Sequence, residues 1–159
     1  MKRIVVGVDG SEGSRLALDW AAQEAGLRAA SLEVVTTYLS EPEWAGFPVD
    51  GGMSSAQIED ARQSIEMATR RAAEHAQAVV EAMIAGLPDS SNAEPVVVAS
   101  QRPAEALVER SRGAEMLVVG SRGLGGFKSL MLGSVSHQCV THADCPVVVI
   151  RPAPADGQA

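Results

Sequence analysis

Aromatic side chains are scarce in this chain, with Trp, Tyr and Phe together making up 3% of its 159 residues. Its core must therefore be aliphatic, and apolar residues, chiefly Ala, Val and Leu, supply 46% of the composition. That length suits a single domain able to bury such a core. Long apolar runs are missing too: none approaches the ~20 residues that span a bilayer. Basic charge is in deficit, and the net charge of −7 would repel the phosphates of DNA, RNA or an anionic membrane surface. The opening Met1-Lys2-Arg3 is basic and then apolar, but Asp9 interrupts the stretch well short of a signal peptide, so a cytoplasmic location is expected. There are only two cysteines, Cys139 and Cys145, six positions apart. This spacing gives neither a C-x-x-C redox pair nor a disulfide framework, so both read as small buried hydrophobes. A zinc set with His137 and His142 also fails: on a helix, 139 and 142 share a face while 137 points elsewhere and 145 lies past the end.

Two common phosphate loops are absent as well. No G-x-x-x-x-G-K-[ST] occurs, and the residues after the first apolar run read Gly7-Val8-Asp9-Gly10 rather than G-x-G-x-x-G. What the chain does contain is alternation. Arg3 to Val8 reads as a strand with a continuous apolar run, the pattern of a strand buried on both faces of a parallel sheet. Ser11 then caps a helix that ends at Gly26–Leu27, with Leu16, Ala17, Trp20, Ala21 and Ala25 facing inward. Leu32 to Tyr38 is the second strand. Leu39 to Ser55, with Pro42, Pro48 and three glycines, is a long loop; its Trp44 and Phe47 serve either as a lid or partner patch, or pack back on the body.

Ala56 to Ala85 repeats Ile58, Ala61, Ile65, Ala68, Ala72, Ala76, Val79, Val80 and Met83 at helical spacing, until Gly86 and Pro88 stop it. Pro95 to Ala99 is the third strand, and Pro103 opens a helix to Arg112 with Ala106, Leu107 and Val108 inward. Met116 to Val119 is the fourth strand, Gly133-Ser134 opens the fourth helix to His142, and the fifth strand runs from Pro146 to Ile150. Residues 1–152 form one domain, and 153–159 are expected to be a disordered tail. Strict alternation of strand and helix specifies an α/β protein with an open parallel sheet and helices on both faces. Such sheets bind ligands beyond the carboxyl ends of their strands, where the winding reverses.

The fourth strand ends in Gly120-Ser121-Arg122-Gly123-Leu124-Gly125-Gly126, and Gly133-Ser134 follows at a helix start. Glycines let the backbone approach a ligand closely, and successive N–H groups can converge on an anion. A helix start adds unpaired N–H groups and the positive end of its dipole. Charge points the same way. No carboxylate lies in the 28 residues from Met116 to Ala143, where an even spread of the 20 acids over 159 residues would put about 3.5, and the segment holds Arg122 and Lys128. A polyphosphate is the ligand such a loop fits, and a Gly120→Asp substitution is expected to empty it.

Gly120-x2-Gly123-x9-Gly133-Ser134, with Val5-Val6-Gly7-Val8-Asp9-Gly10-Ser11 at the start and Cys145-Pro146-Val147-Val148-Val149 at the end, resembles the universal stress protein family in its ATP-binding branch. The resemblance covers Met1 to Arg151. It implies a five-stranded sheet in order 3-2-1-4-5, an adenine nucleotide alpha hydrolase-like fold whose reversal falls between strands one and four. It also implies contacts. Gly7, Val8 and Asp9 would lie beside the nucleotide, with Asp9 near the ribose or a phosphate-bound Mg²⁺. Thr37 would touch the adenine, and Val119, Gly120, Arg122 and Gly123 would line the ribose and phosphates. Gly133, Ser134 and Val135 would take the terminal phosphates. The expected function is that of an ATP-binding stress-response regulator working as a nucleotide-dependent binding module. The alternatives are a slow ATPase or phosphotransferase, and the same pocket holding AMP or a cyclic nucleotide. Because the fifth strand is an apolar open edge, the resemblance implies a homodimer pairing Pro146–Ile150 with its copy.

Overall fold

Valine-rich runs without alternation become the middle of a sheet covered on both sides. The computed structural model describes residues 2–39, 54–89, 92–124 and 132–152. Its elements are β1 (Arg3–Gly7), α1 (Glu12–Arg28), β2 (Ser31–Tyr38), α2 (Ser55–Ala85), β3 (Ala93–Ala99), α3 (Pro103–Arg110), β4 (Met116–Gly120), α4 (Ser134–His142) and β5 (Val147–Ile150). The five strands form one sheet in order β3-β2-β1-β4-β5, all pairings parallel, with Val6 opposite both Val34 and Val118. Fold class and strand order are as the sequence implied. Residues 40–53, with Trp44 and Phe47, and the tail 153–159 lie outside the described residues.

One layer of core packs α1 and α2 on the sheet through Ile4, Val6, Leu18, Val34 and Val80. The other packs α3 and α4 on the opposite face through Val5, Val35, Leu107, Leu117 and Cys139. Burial pushes the Cys139 thiol up to about 11, with the charge of Cys145 adding to the shift, so it behaves as a packed hydrophobe rather than a reactive thiol. Cys145 is half-buried and lies just before β5. Below the sheet, Glu33 is nearly buried between Arg3 and Arg110, each 2.9 Å away. The Arg110 bridge tethers the far end of α3, fixing that helix where its opposite end reaches the upper edge.

Several boundaries differ from the sequence expectations, each for a local reason. Ser11 does cap α1, its hydroxyl oxygen accepting from the Ser14 N–H at 3.2 Å. The helix runs past Gly26, however, and stops where Ala29 turns left-handed at φ 50°, its N–H reaching the Ala25 and Gly26 carbonyls. Leu18 is the fully buried leucine of α1, whereas Leu16 is only half-buried. At its start, α2 carries a reciprocal Ser54–Gln57 capping box. Only its second half reaches the core, through Ala76, Val80 and Met83. Ile58, Ala61 and Ala68 are exposed and Ile65 is half-buried, because a 31-residue helix is about 46 Å long and outreaches the sheet. β3 begins before Pro95, which an edge strand tolerates. β1 stops at Gly7, β4 extends to Gly120, α3 ends at Arg110 and β5 starts after Pro146.

Candidate functional site

The winding reverses between β1 and β4, and there the carboxyl ends of the strands open into a cleft of about 490 Å³. All eleven residues singled out in the sequence line it. Gly7, Val8 and Asp9 come from the end of β1, Thr37 from β2, and Val119 and Gly120 from β4; Arg122 and Gly123 follow β4, and Gly133, Ser134 and Val135 open α4. Thr37 lines the cleft while its neighbour Thr36 is buried away from solvent.

One wall is the turn from β1 into α1, and its own side chains fill it. Asp9 Oδ1 accepts from the Ser11 amide at 3.0 Å and the Ser11 hydroxyl at 2.6 Å. Asp9 Oδ2 accepts from the Leu124 amide at 2.9 Å. The Ser14 hydroxyl accepts from the Asp9 N–H at 3.3 Å and donates to the Ser11 carbonyl at 2.9 Å. Burial raises the Asp9 pKa, but hydrogen bonds from the Ser11 hydroxyl, the Ser11 and Leu124 amides and Ser14 outweigh it, holding the carboxyl below its ordinary range. Asp9 is the only carboxylate lining the cleft among the described residues.

The opposite wall is the turn from β4 into α4. Its base is closed by the Gly133 N–H, which donates to the Ser121 carbonyl at 2.8 Å, and by the Ser136 hydroxyl, which donates to the Gly120 carbonyl at 2.7 Å. The N-cap of α4 is Gly133, which has no side chain to cap it, so among the described residues nothing of the Ser11 or Ser54 kind covers its first amides. Gly125, Gly126 and Lys128 fall outside the described residues.

Gly120 lines the cleft and has a packing role as well. A Cβ there would stand 2.7 Å from the Gly13 carbonyl oxygen and 3.1 Å from the Ser14 amide nitrogen. Its bareness lets β4 pack against the first turn of α1, so Gly120→Asp perturbs packing before it perturbs any ligand. At Gly133 an added Cβ meets nothing among the described residues closer than 3.6 Å, which makes it the cleaner position to test. Six further residues line the cleft without having been singled out: Ser14, Val35, Pro103, Leu107, Leu124 and Ser136. Leu107 is nearly buried and reads in sequence as plain core. Its place is set in three dimensions by Gly7, where a Cβ would come within 2.7 Å of the Leu107 side chain. Val35, Pro103 and Leu107 give one end of the cleft an apolar floor, while Arg122 and the α4 start give the other end positive character.

The profile of the Universal stress protein family matches residues 1–151. A universal stress protein of Thermus aquaticus is 35% identical over 154 residues, covering 94% of this chain and 98% of that protein. The chain therefore belongs to the universal stress protein family. It spans about half the length of the mycobacterial relatives it matches, 47% of one from Mycobacterium tuberculosis at 34% identity. The fold is shared with a hypothetical protein solved as a test of assigning biochemical function from structure, at TM-score 0.75, 20% identity and coverage of 97% of this chain and 98% of that one. A universal stress protein in complex with cAMP matches at 25% identity and TM-score 0.54, covering 94% of this chain and 96% of that one.

Proposed function

We propose that the cleft binds an adenine nucleotide, ATP in the first place, and that the protein works in the cytoplasm as a nucleotide-dependent binding module of the stress response. The observation that carries this reading is the uncapped start of α4 at Gly133, on the wall of a cleft at the winding reversal. Unpaired helix amides and the dipole's positive end suit phosphate. The base would lie on the apolar end by Val35, Thr37, Pro103 and Leu107, and the ribose beside Gly7, Val8 and Val119. The phosphates would run past Gly120, Arg122 and Gly123 to Gly133, Ser134 and Val135. The volume falls within the ~300–1,000 Å³ typical of small-molecule sites. The cAMP complex of a relative supports an adenine nucleotide and keeps a cyclic nucleotide or AMP as the second reading. Mg²⁺ would enter with the phosphates, keeping much of its water shell.

Binding is favoured over turnover because hydrolysis needs a group that orients or deprotonates water at the terminal phosphate. The one acid lining the cleft among the described residues is already hydrogen-bonded through both oxygens. Self-association through the half-exposed edge β5 completes the reading, with the same strand of a second copy as partner. The test is to denature purified protein and identify the released nucleotide by chromatography, then compete ATP against AMP and cAMP and follow labelled ATP. Release of ATP with turnover below about 1 s⁻¹ supports the module. Empty protein that takes up none of the three, or faster turnover, overturns it.

A further inference from the structure

The Asp9 carboxylate bridges the two walls of the cleft. One oxygen holds the β1–α1 turn through Ser11, and the other holds the Leu124 amide, 115 residues away in the chain. Ser11 is itself pinned, since its hydroxyl oxygen accepts from the Ser14 N–H at 3.2 Å as the cap of α1. The carboxylate is thus anchored to a helix start and reaches across to a loop. What lets that loop come so close is Gly123: a Cβ there would run into Asp9 Oδ2.

We propose that Asp9 is a positioning residue, a latch that draws the loop after β4 onto the β1–α1 turn and sets the phosphate side of the cleft, rather than a ligand of nucleotide-bound Mg²⁺. This rests on the nucleotide reading of the cleft. A carboxylate offers about four acceptor positions, and three are filled here by donors fixed to the backbone or to a helix cap. Mg²⁺ demands near-ideal octahedral geometry at about 2.0–2.1 Å, so ligation at Oδ2 would expel the Leu124 amide and leave it without its partner. The bare Cα at position 123 has no purpose for a metal ligand, but it is what a close latch requires.

The test uses Asp9→Ala, Gly123→Ala and the double variant of the full chain, with two readouts. The first is hydrogen exchange of the Leu124 amide without ligand, with the Val6 and Val118 amides as controls for the fold. The second is ATP affinity measured in Mg²⁺ and again in EDTA. A latch predicts Leu124 exchange about tenfold faster or more in both single variants. It also predicts ATP weakened by the same factor in Mg²⁺ and in EDTA, and a double variant no worse than the poorer single, because neighbours sharing one interaction are non-additive. Unchanged Leu124 exchange overturns the latch, as does an affinity loss on Asp9→Ala that appears only with Mg²⁺, the signature of a metal ligand. If Asp9→Ala fails to fold, the Leu124 exchange of Gly123→Ala decides alone, since among the described residues its added methyl meets Asp9 and nothing else within 4 Å and that readout needs no ligand. If wild-type protein binds no ATP at all, the nucleotide reading falls while the exchange readout still decides the latch.

Discussion

Two β-to-α turns face each other across the cleft, and they treat the same physical problem in opposite ways. Each helix start leaves amides without intrahelical partners. In the turn from β1 to α1 the chain satisfies them itself: Ser11 caps the helix and Asp9 gathers Ser11. In the turn from β4 to α4 the cap position is Gly133, and no side chain among the described residues takes the role. The first turn is a finished structural joint, and the second is the one proposed as the phosphate site. A glycine-rich turn alone does not distinguish the two. The difference lies in whether the chain supplies its own acceptors.

The largest effect that would sharpen this contrast is at Gly120, the point where β4 meets the closed turn. Gly120→Ala forces a methyl against the Gly13 carbonyl and is expected to cost about 1–3 kcal/mol in urea unfolding. Gly133→Ala, with only ordinary contacts around it, should cost a few tenths of that range. Equal costs at both glycines would break the comparison. Next is the cap itself: Ser11→Ala should destabilise by about 1 kcal/mol, while Ser134→Ala at the open turn should leave the unfolding midpoint unchanged.

A smaller effect comes from pH. The Asp9 carboxyl is held below its ordinary value in the folded chain, so its contribution is full above the unfolded pKa and lost as pH falls through the folded one. The stability gap between wild type and Asp9→Asn should stay constant from neutral pH to about pH 5 and close only below about pH 4. A gap that closes near neutrality would mean the carboxyl is not held by these donors. Smallest is Ser134→Asp, an acid in the first turn of α4, which should raise helix stability by about 0.3–1 kcal/mol even as it opposes phosphate.

Much of this was legible in the chain. Continuous Val runs between helical periods dictated a parallel sheet with two covered faces, and the glycine spacing with the carboxylate gap brought out residues that the structure gathers around one cleft. The rest needed three dimensions. Spacing cannot tell a glycine kept bare for a ligand from one kept bare for packing, and Gly120 is held bare by the Gly13 carbonyl whatever it does in the cleft. Leu107 and Val35 line the cleft yet have the pattern of core residues, because an apolar pocket floor is core with one side open. Helical periodicity in α2 was real, but it says nothing of where the sheet ends, so Ile58 and Ala61 keep the period and yet lie outside. In α1 both Leu16 and Leu18 flank the inward Ala17, and it is Leu18 that the fold buries while Leu16 stays half-buried.

The most direct test of the central claim is to make the open turn like the closed one. Gly133→Asp places a capping carboxylate at an extended position with room for it, φ −72° and ψ 163°, in the way Ser11 caps α1. ATP affinity should be measured by calorimetry beside a thermal unfolding curve. The account predicts a midpoint equal to or above wild type together with ATP binding weakened tenfold or more, about 1.4 kcal/mol at least, because the variant's own carboxylate takes the amides and repels the phosphates. Wild-type ATP affinity in a folded Gly133→Asp protein would contradict it.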